Sequence, residues 1–166
     1  MGLGVHFAVD DDTLSALEGA AKAGDDEEVL ALVDDLEDEW DEAWTKESDR
    51  AWDAIHRVLT DGTLKPGQGP LAPLILGGRS LLKDEGEHHC RLATKAQVKA
   101  AAKALEAFTE DEFRARFQKL KAKGSDYEGD GDADDLDYTW DWFLEVRELF
   151  FQASQEGRAV LFTATR

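Results

Sequence analysis

Apolar side chains occupy every second position from Leu3 to Val9, the spacing of a strand with one buried face. His6 alternates with these positions, so we expect it to be partly exposed. The last segment, 159–164, is almost continuously apolar, which is typical of a strand buried inside a sheet. The pattern therefore predicts a small buried sheet in which the first and last strands lie side by side or close together.

Between these strands, apolar residues recur at the spacing of amphipathic helices. The predicted helices span about 13–23, 26–44, 49–60, 95–107, 110–121 and 140–156, with one helical turn at 71–76. Trp40 and Trp44 extend the apolar stripe of the second helix, and Lys46–Ser48 ends it. We interpret 79–92 as two short strands around a polar turn.

Together these elements predict the α+β class: a mostly helical single domain, spanning 1–166, with a small sheet formed by the N- and C-terminal strands. The length of 166 residues suits one core of ordinary size.

The charge of the chain is strongly negative and unevenly distributed. Its 37 acidic and 19 basic residues give a net charge of −18, with −15 in residues 10–53, +5 in 54–123 and −9 in 124–148. Such a chain repels phosphate backbones and anionic lipids, so we expect no nucleic-acid partner and no membrane binding. The basic residues of the middle include a four-residue repeat from Arg91 to Lys103, which predicts a stripe along one helix face.

The cellular location is predicted from what the chain lacks. No apolar run reaches the roughly 20 residues that cross a bilayer, and the start of the chain has no basic segment of the signal-peptide type. The lone Cys90 provides no disulfide framework and suits a reducing compartment. We therefore expect a cytoplasmic protein.

Several segments of the chain form a recognisable combination: Asp49–His56, Leu59–Gly62, Pro70–Leu71, Ile75–Gly78, 92–105 and Gln155–Leu161. Together they resemble the YfbM-like family, domain of unknown function 1877. The resemblance implies a compact α+β bacterial domain, usually standing alone, with no established reaction, cofactor or catalytic residues. The sequence departs from the family pattern at the acidic, Gly-rich segment Asp126–Asp137 and at Cys90, where an aromatic residue is expected.

The segment Trp52–Asp53–x–x–His56 is a candidate site. Helical spacing places Trp52 and His56 on one face and lets Asp53 approach the imidazole, which is half of a general-base arrangement. The alternative is structural: Trp52 and His56 pack inward and hold their helix against the loop at Gly77 and Gly78. No Ser, Cys or second acid completes a catalytic set, so we assign no catalytic residue. We assign five candidate binding residues: Trp52, Asp53, His56, Gly77 and Gly78.

The acidic segment 126–137 resembles a calcium loop in part. The candidate ligands are Asp126, Asp130, Asp132 and Asp134, with Gly131 at the turn position. Glu128 replaces the usual short ligand, and Asp137 is shorter than the Glu that clasps Ca²⁺ with both oxygens. The alternative is a solvated acidic loop, and we expect no cofactor unless this segment binds Ca²⁺.

Two hypotheses of function follow. In the first, the chain is a non-catalytic protein of the inhibitor or immunity type, whose carboxylates at Glu37, Asp38 and Asp41 meet a basic partner protein. The charge could instead serve solubility alone. In the second hypothesis, the chain is a small-molecule binder or unfamiliar hydrolase with a cleft between His56 and the loop 62–78. Phosphate-binding, nucleophile-elbow and zinc-protease motifs are absent from the sequence.

Overall fold

The computed structural model describes residues 2–165, which form a five-stranded antiparallel sheet covered by helices on both faces. The strands are β1 (Gly4–Val9), β2 (Thr45–Asp49), β3 (Arg79–Ser80), β4 (His88–Ala93) and β5 (Ala159–Thr165), in the order β2-β1-β5-β4-β3. The helices are α1 (Asp11–Ala23), α2 (Asp26–Glu39), α3 (Trp52–Leu59), α4 (Lys95–Ala107), α5 (Glu110–Phe117) and α6 (Ala133–Glu156), with a 3₁₀ turn at Ala72–Leu74. The predicted α+β class is confirmed.

The first and last strands pair at the centre of the sheet. β1 and β5 are antiparallel neighbours, with Phe7 opposite Leu161. The short strands predicted within 79–92 are also present, as β3 and β4. The prediction that the two terminal strands lie side by side is therefore confirmed.

The two faces of the sheet carry separate apolar cores. Odd-numbered residues of β1, such as Phe7, face the hairpin of α1 and α2. Even-numbered residues, such as Ala8, face the layer that contains α3, α4 and α6. Because both faces are covered, every residue of β1 is buried.

Burial on both faces overturns the expectation for His6, which is fully buried. Its Nε2 lies 2.7 Å from the carbonyl oxygen of Leu74, and its ring packs against Phe162 with the centroids 4.9 Å apart. The period-two pattern described only the face of β1 that meets α1 and α2.

The helix ends follow capping chemistry in most places. Thr94 and Gln97 form a complete capping box at the start of α4, and Gly157 ends α6 with a φ of 66°. Three predicted boundaries were wrong. α3 begins at Trp52 rather than 49, α5 ends at Phe117 rather than 121, and α6 begins at Ala133, within the segment predicted as an acidic loop.

The largest error concerns the predicted helix 26–44, which ends at Glu39. Trp40 adopts a left-handed backbone with a φ of 42°, and its N–H donates to the Leu36 carbonyl oxygen. The chain then turns and enters β2 at Thr45, where Lys46–Ser48 forms part of a strand. Trp44 consequently lies outside any helix and packs under Arg158, with the guanidinium carbon 4.0 Å from the ring centroid.

Candidate functional site

The predicted site around α3 is almost entirely buried. All eight residues of α3 are buried, including Trp52, Asp53 and His56. The Trp52 indole N–H donates to the carbonyl oxygen of Gly2 at 3.0 Å, and its ring packs against Phe162. The structure thus brings Trp52 and His56 into the core.

His56 bonds to the backbone through both ring nitrogens. Nε2 lies 2.6 Å from the Lys65 carbonyl oxygen and acts as the donor, and Nδ1 accepts from the Leu76 N–H at 3.3 Å. This pairing defines a neutral ring with the proton on Nε2, and burial lowers the pKa of His56. His56 thereby ties both ends of the loop 65–76 to α3.

Asp53 does not orient His56, so that expectation is wrong. Its Oδ1 accepts instead from Arg57 Nε at 2.6 Å, because Arg57 lies one helical turn further along the same face. Arg57 Nη1 also donates to Asp126 Oδ1 at 2.6 Å. Burial raises the pKa of Asp53 despite this pairing, whereas Arg57 lowers the pKa of Asp126.

Gly77 and Gly78 lie where the chain passes other backbone closely. A Cβ on Gly78 would lie 2.6 Å from the Leu92 carbonyl oxygen, and one on Gly77 would overlap Ala72. Gly77 therefore lets the chain fold back on the 3₁₀ turn, and Gly78 lets it pass close to β4. This role is steric and uses no ligand.

A cavity of about 760 Å³ opens beside the loop that His56 holds. Its wall combines the end of α3, the loop 65–71 and side chains of α4 and α5, including Leu59, Lys65, Ala104 and Arg116. His56 lies behind this wall and does not line the cavity. The cavity therefore offers a binding volume without access to the imidazole.

The acidic surface is concentrated on α2, which contains eight carboxylates and no basic residue. Within residues 2–165, none of these carboxylates forms an ion pair. Glu37 and Asp38 are exposed at the C-terminal end, followed by Asp41, whose Oδ1 accepts from the Ala43 N–H at 3.1 Å. Although the Glu37 side chain is exposed overall, neighbouring atoms remove part of the water around its carboxyl group, and this desolvation, together with repulsion from Asp34 and Asp38, raises the pKa of Glu37.

The basic stripe predicted in the middle segment does not neutralise α2. The stripe predicted from Arg91 to Lys103 is wrong in its first member, because Arg91 lies on β4 and forms an ion pair with Glu85. Lys95 pairs with Asp11 of α1, 2.5 Å from its Oδ1. Lys99 and Lys103 are exposed on α4, which packs on the opposite face of the sheet from α2.

A second cleft, of about 600 Å³, lies between the C-terminal half of α2 and the sheet. Its floor includes one row across four strands, in which Cys90 pairs with Thr163, Thr163 with Val5, and Val5 with Glu47. Burial raises the pKa of the Cys90 thiol to about 12, so this floor residue remains a protonated, apolar group.

The rim of this cleft is partly apolar and partly acidic. Leu3 and Trp40 flank it with 52% and 36% of their surface exposed, and Asp34, Glu37 and Glu47 contribute carboxylates. Among residues 2–165, only one other large hydrophobic side chain, Tyr138, is comparably exposed.

Three of the four candidate calcium ligands have other structural roles. Asp126 is bound by Arg57, Asp132 caps α6 by accepting from the Asp135 N–H, and Asp134 lies in the first turn of α6. Asp130 is exposed in the preceding loop. In the described part of the chain, no three His, Cys, Asp or Glu side chains converge closely enough to hold a metal ion.

The model of domain of unknown function DUF1877 matches residues 1–163. The chain belongs to the DUF1877 family. The fold also matches the crystal structure of YfbM from Escherichia coli, a protein of unknown function, with a TM-score of 0.65 and 20% sequence identity over 98% of this chain and 99% of that one. No curated protein sequence matches. The resemblance to the YfbM-like family is confirmed.

Within this DUF1877 domain, two features escaped the sequence analysis. Arg57 is the residue that joins Asp53 to Asp126, and the i,i+4 spacing of Asp53 and Arg57 was the signal that could have found the first contact. The cleft beside Trp40 had no comparable signal, because its lining comes from four strands and a helix. Among residues 2–165 of this family member, no helix has the length and apolar character needed to cross a membrane.

Proposed function

We propose that this DUF1877 protein is a non-catalytic binding protein of the cytoplasm that captures a basic partner protein through α2. The carboxylates of α2, none of which forms an ion pair among residues 2–165, are the observation that carries the proposal. Five of the eight lie in the C-terminal half of the helix, where they repel one another and the negative end of the helix dipole, and a cationic partner would relieve that repulsion. Inhibitor and immunity proteins that neutralise cationic targets use such surfaces.

The position of α2 also supports this function. The helix packs on the sheet through Val29 and Val33, so its outer side is presented by a rigid layer. The lysines of α4 lie on the other face of the sheet, so the two charges stay separated. A rigid, strongly acidic surface speeds association with a basic one, and this effect weakens as salt rises.

The test compares two triple variants with the same net charge. The first reverses Glu37, Asp38 and Asp41 to Lys on the proposed surface. The control reverses Glu106, Asp141 and Glu156 to Lys, which are exposed residues of α4 and α6 on the far side of the sheet. Each protein, with the wild type, serves as bait in a native host lysate at low and high salt.

A basic protein bound in stoichiometric amount by the wild type and the control, lost with the α2 variant and released by salt, is the expected result. Equal capture by both variants would contradict the role of α2. An empty wild-type lane would favour the alternative that the charge serves solubility alone.

The cavity of about 760 Å³ supports a second candidate, a small-molecule binder. Its volume lies within the usual range of ligand sites, and His56 holds the loop that forms its wall. A thermal-shift screen of metabolites should then give ligands that stabilise the wild type. Ala104→Phe, which fills the cavity from α4, should abolish those shifts, whereas shifts retained in this variant would exclude the cavity as the site. A hydrolase at this position would need a group other than His56 as its base.

A further inference from the structure

The cleft between α2 and the sheet has an apolar floor and flanks beside an acidic rim. Val5, Val33 and Cys90 provide buried apolar surface, and Leu3 and Trp40 stand on its flanks. Soluble proteins rarely leave several large hydrophobic side chains exposed around one concavity unless something binds there. An exposed pair of this kind marks the place where a partner buries an apolar group.

Trp40 provides an independent observation. It has a left-handed backbone conformation that an L residue with a large side chain rarely adopts, and it occupies the position that ends α2, where Gly is usual. This conformation turns the chain out of the helix and places the indole beside the cleft, edge-to-face with Phe7 and with the ring centroids 6.3 Å apart. Strained bulky residues of this kind concentrate at binding sites.

The charged side chains around the cleft indicate the charge of the group that binds there. Asp34 and Glu37 lie on the α2 side, and Glu47 ends the row of floor residues on the β2 side. No Lys or Arg of the described residues lines the cleft, although His88 and His89 do. A carboxylate on each side of an apolar floor complements a cation on either side of an apolar group.

From these features we infer that the cleft binds a segment of the basic partner in which one large apolar side chain is flanked by Arg or Lys. The apolar side chain inserts between Leu3 and Trp40 onto Val5 and Cys90, and the flanking cations meet Glu37 and Glu47. This inference rests on the proposed function and adds the chemistry of its recognition element. The volume of about 600 Å³ accommodates an aromatic side chain together with part of its neighbours.

The test uses three synthetic peptides of equal length. One has a central Trp between pairs of Arg, the second replaces Trp with Ala, and the third replaces Arg with Glu. Titration calorimetry measures their affinities for the wild type, for Leu3→Ser and for Tyr138→Ser. Leu3 and Tyr138 are both exposed, so each substitution should preserve the fold, which thermal unfolding checks.

We expect the Arg–Trp peptide to bind the wild type at least about tenfold more tightly than the Arg–Ala peptide, because a buried indole removes a large apolar area from water. Leu3→Ser should remove most of this difference, whereas Tyr138→Ser should retain it. The indole resonance of Trp40 in an NMR spectrum should shift on addition of the Arg–Trp peptide.

Three other outcomes would contradict the inference, and they differ in what they leave intact. Equal affinity of the two Arg peptides for the wild type, or a difference that survives Leu3→Ser, would overturn the cleft while leaving charge-driven capture by α2 intact. Binding of the Glu–Trp peptide as tightly as the Arg–Trp peptide would overturn both the cationic occupant and the proposed function.

Discussion

Arg57 Nη1 lies 2.6 Å from Oδ1 of Asp126, which is 69 residues further along the chain. The Arg57 side chain is 2% exposed, and it shields the buried carboxylate of Asp53 while Asp126 remains open to water. One guanidinium thus fastens the loop before α6 to the core helix α3. The two carboxylates contribute unequally, because only one of them would be left buried without a cation.

Replacement of Arg57 by Met should lower the free energy of unfolding by about 3–5 kcal/mol, since it strands the Asp53 carboxylate in the core. Asp126→Asn should cost much less, because its carboxylate is exposed. Urea unfolding measures both. Equal losses from the two variants would show that the stranded charge is not the cause, whereas recovery of stability in an Arg57→Met, Asp53→Asn double variant would confirm it.

His6 should make the protein sensitive to mild acid. Burial lowers the pKa of His6 from 6.5 to about 4. Between these two pH values the imidazole is protonated in the unfolded chain but stays neutral in the folded protein. The stability due to the neutral ring is fully present above pH 6.5 and is lost as the pH falls toward 4, with a total of roughly 3 kcal/mol. Burial of His56 acts in the same direction.

The check on His6 is urea unfolding of the wild type and His6→Gln at several pH values between 7.5 and 4.5. Gln keeps an N–H donor for the Leu74 carbonyl oxygen but does not titrate. The variant should lose less stability than the wild type over this range. Parallel pH curves would show that His6 contributes nothing to the acid sensitivity.

Two glycine substitutions should have opposite effects. Gly78→Ala should destabilise the protein by about 1–3 kcal/mol, because the new methyl group would meet the Leu92 backbone. A Cβ on Gly19, within α1, would meet no atom within 4 Å apart from the neighbouring backbone of its own helix, so Gly19→Ala should stabilise by about 0.5–1 kcal/mol. Thermal unfolding of both variants tests the close approach at Gly78. A tolerated alanine there would show that the 3₁₀ turn moves freely against β4.

The acidic segment before α6 should not bind Ca²⁺ specifically. Arg57 already occupies Asp126, and Asp132 and Asp134 belong to the start of α6, so a calcium site would have to break these contacts. Titration calorimetry with millimolar Ca²⁺ should show no saturable heat. Saturable binding that disappears in Asp130→Asn would contradict this prediction.

Short sequence patterns predicted the helices and strands correctly where the structure depends on contacts between residues that are close in sequence. The capping box of Thr94 and Gln97 marked the start of α4, and the apolar runs of β1 and β5 indicated a buried sheet. The prediction failed at 40–49 because Trp40 and Trp44 continued the helical spacing of α2. Nothing local showed that Trp40 would turn left-handed, and β2 contains mostly polar residues, so it lacks the pattern of a strand.

The candidate sites were harder to predict for the same physical reason. Asp53 is close enough in sequence to pair with either His56 or Arg57. It pairs with Arg57 because backbone groups of Lys65 and Leu76, in a distant loop, already bond to both ring nitrogens of His56. The acidic character of α2 was visible in the sequence. The cleft beside it requires the register of β1, β4 and β5, which only the assembled sheet defines.

The central position of β5 has a consequence for how the protein is made. Residues 159–165 separate β1 from β4, so β1 can pair with β2 and β4 with β3 before β5 is made, but the two pairs join into one sheet only through β5. Until β5 follows, the edges of β1 and β4 that it covers stay open. Chaperones that shield nascent chains should therefore engage these open edges, and translation that stalls before residue 159 should yield an aggregation-prone fragment.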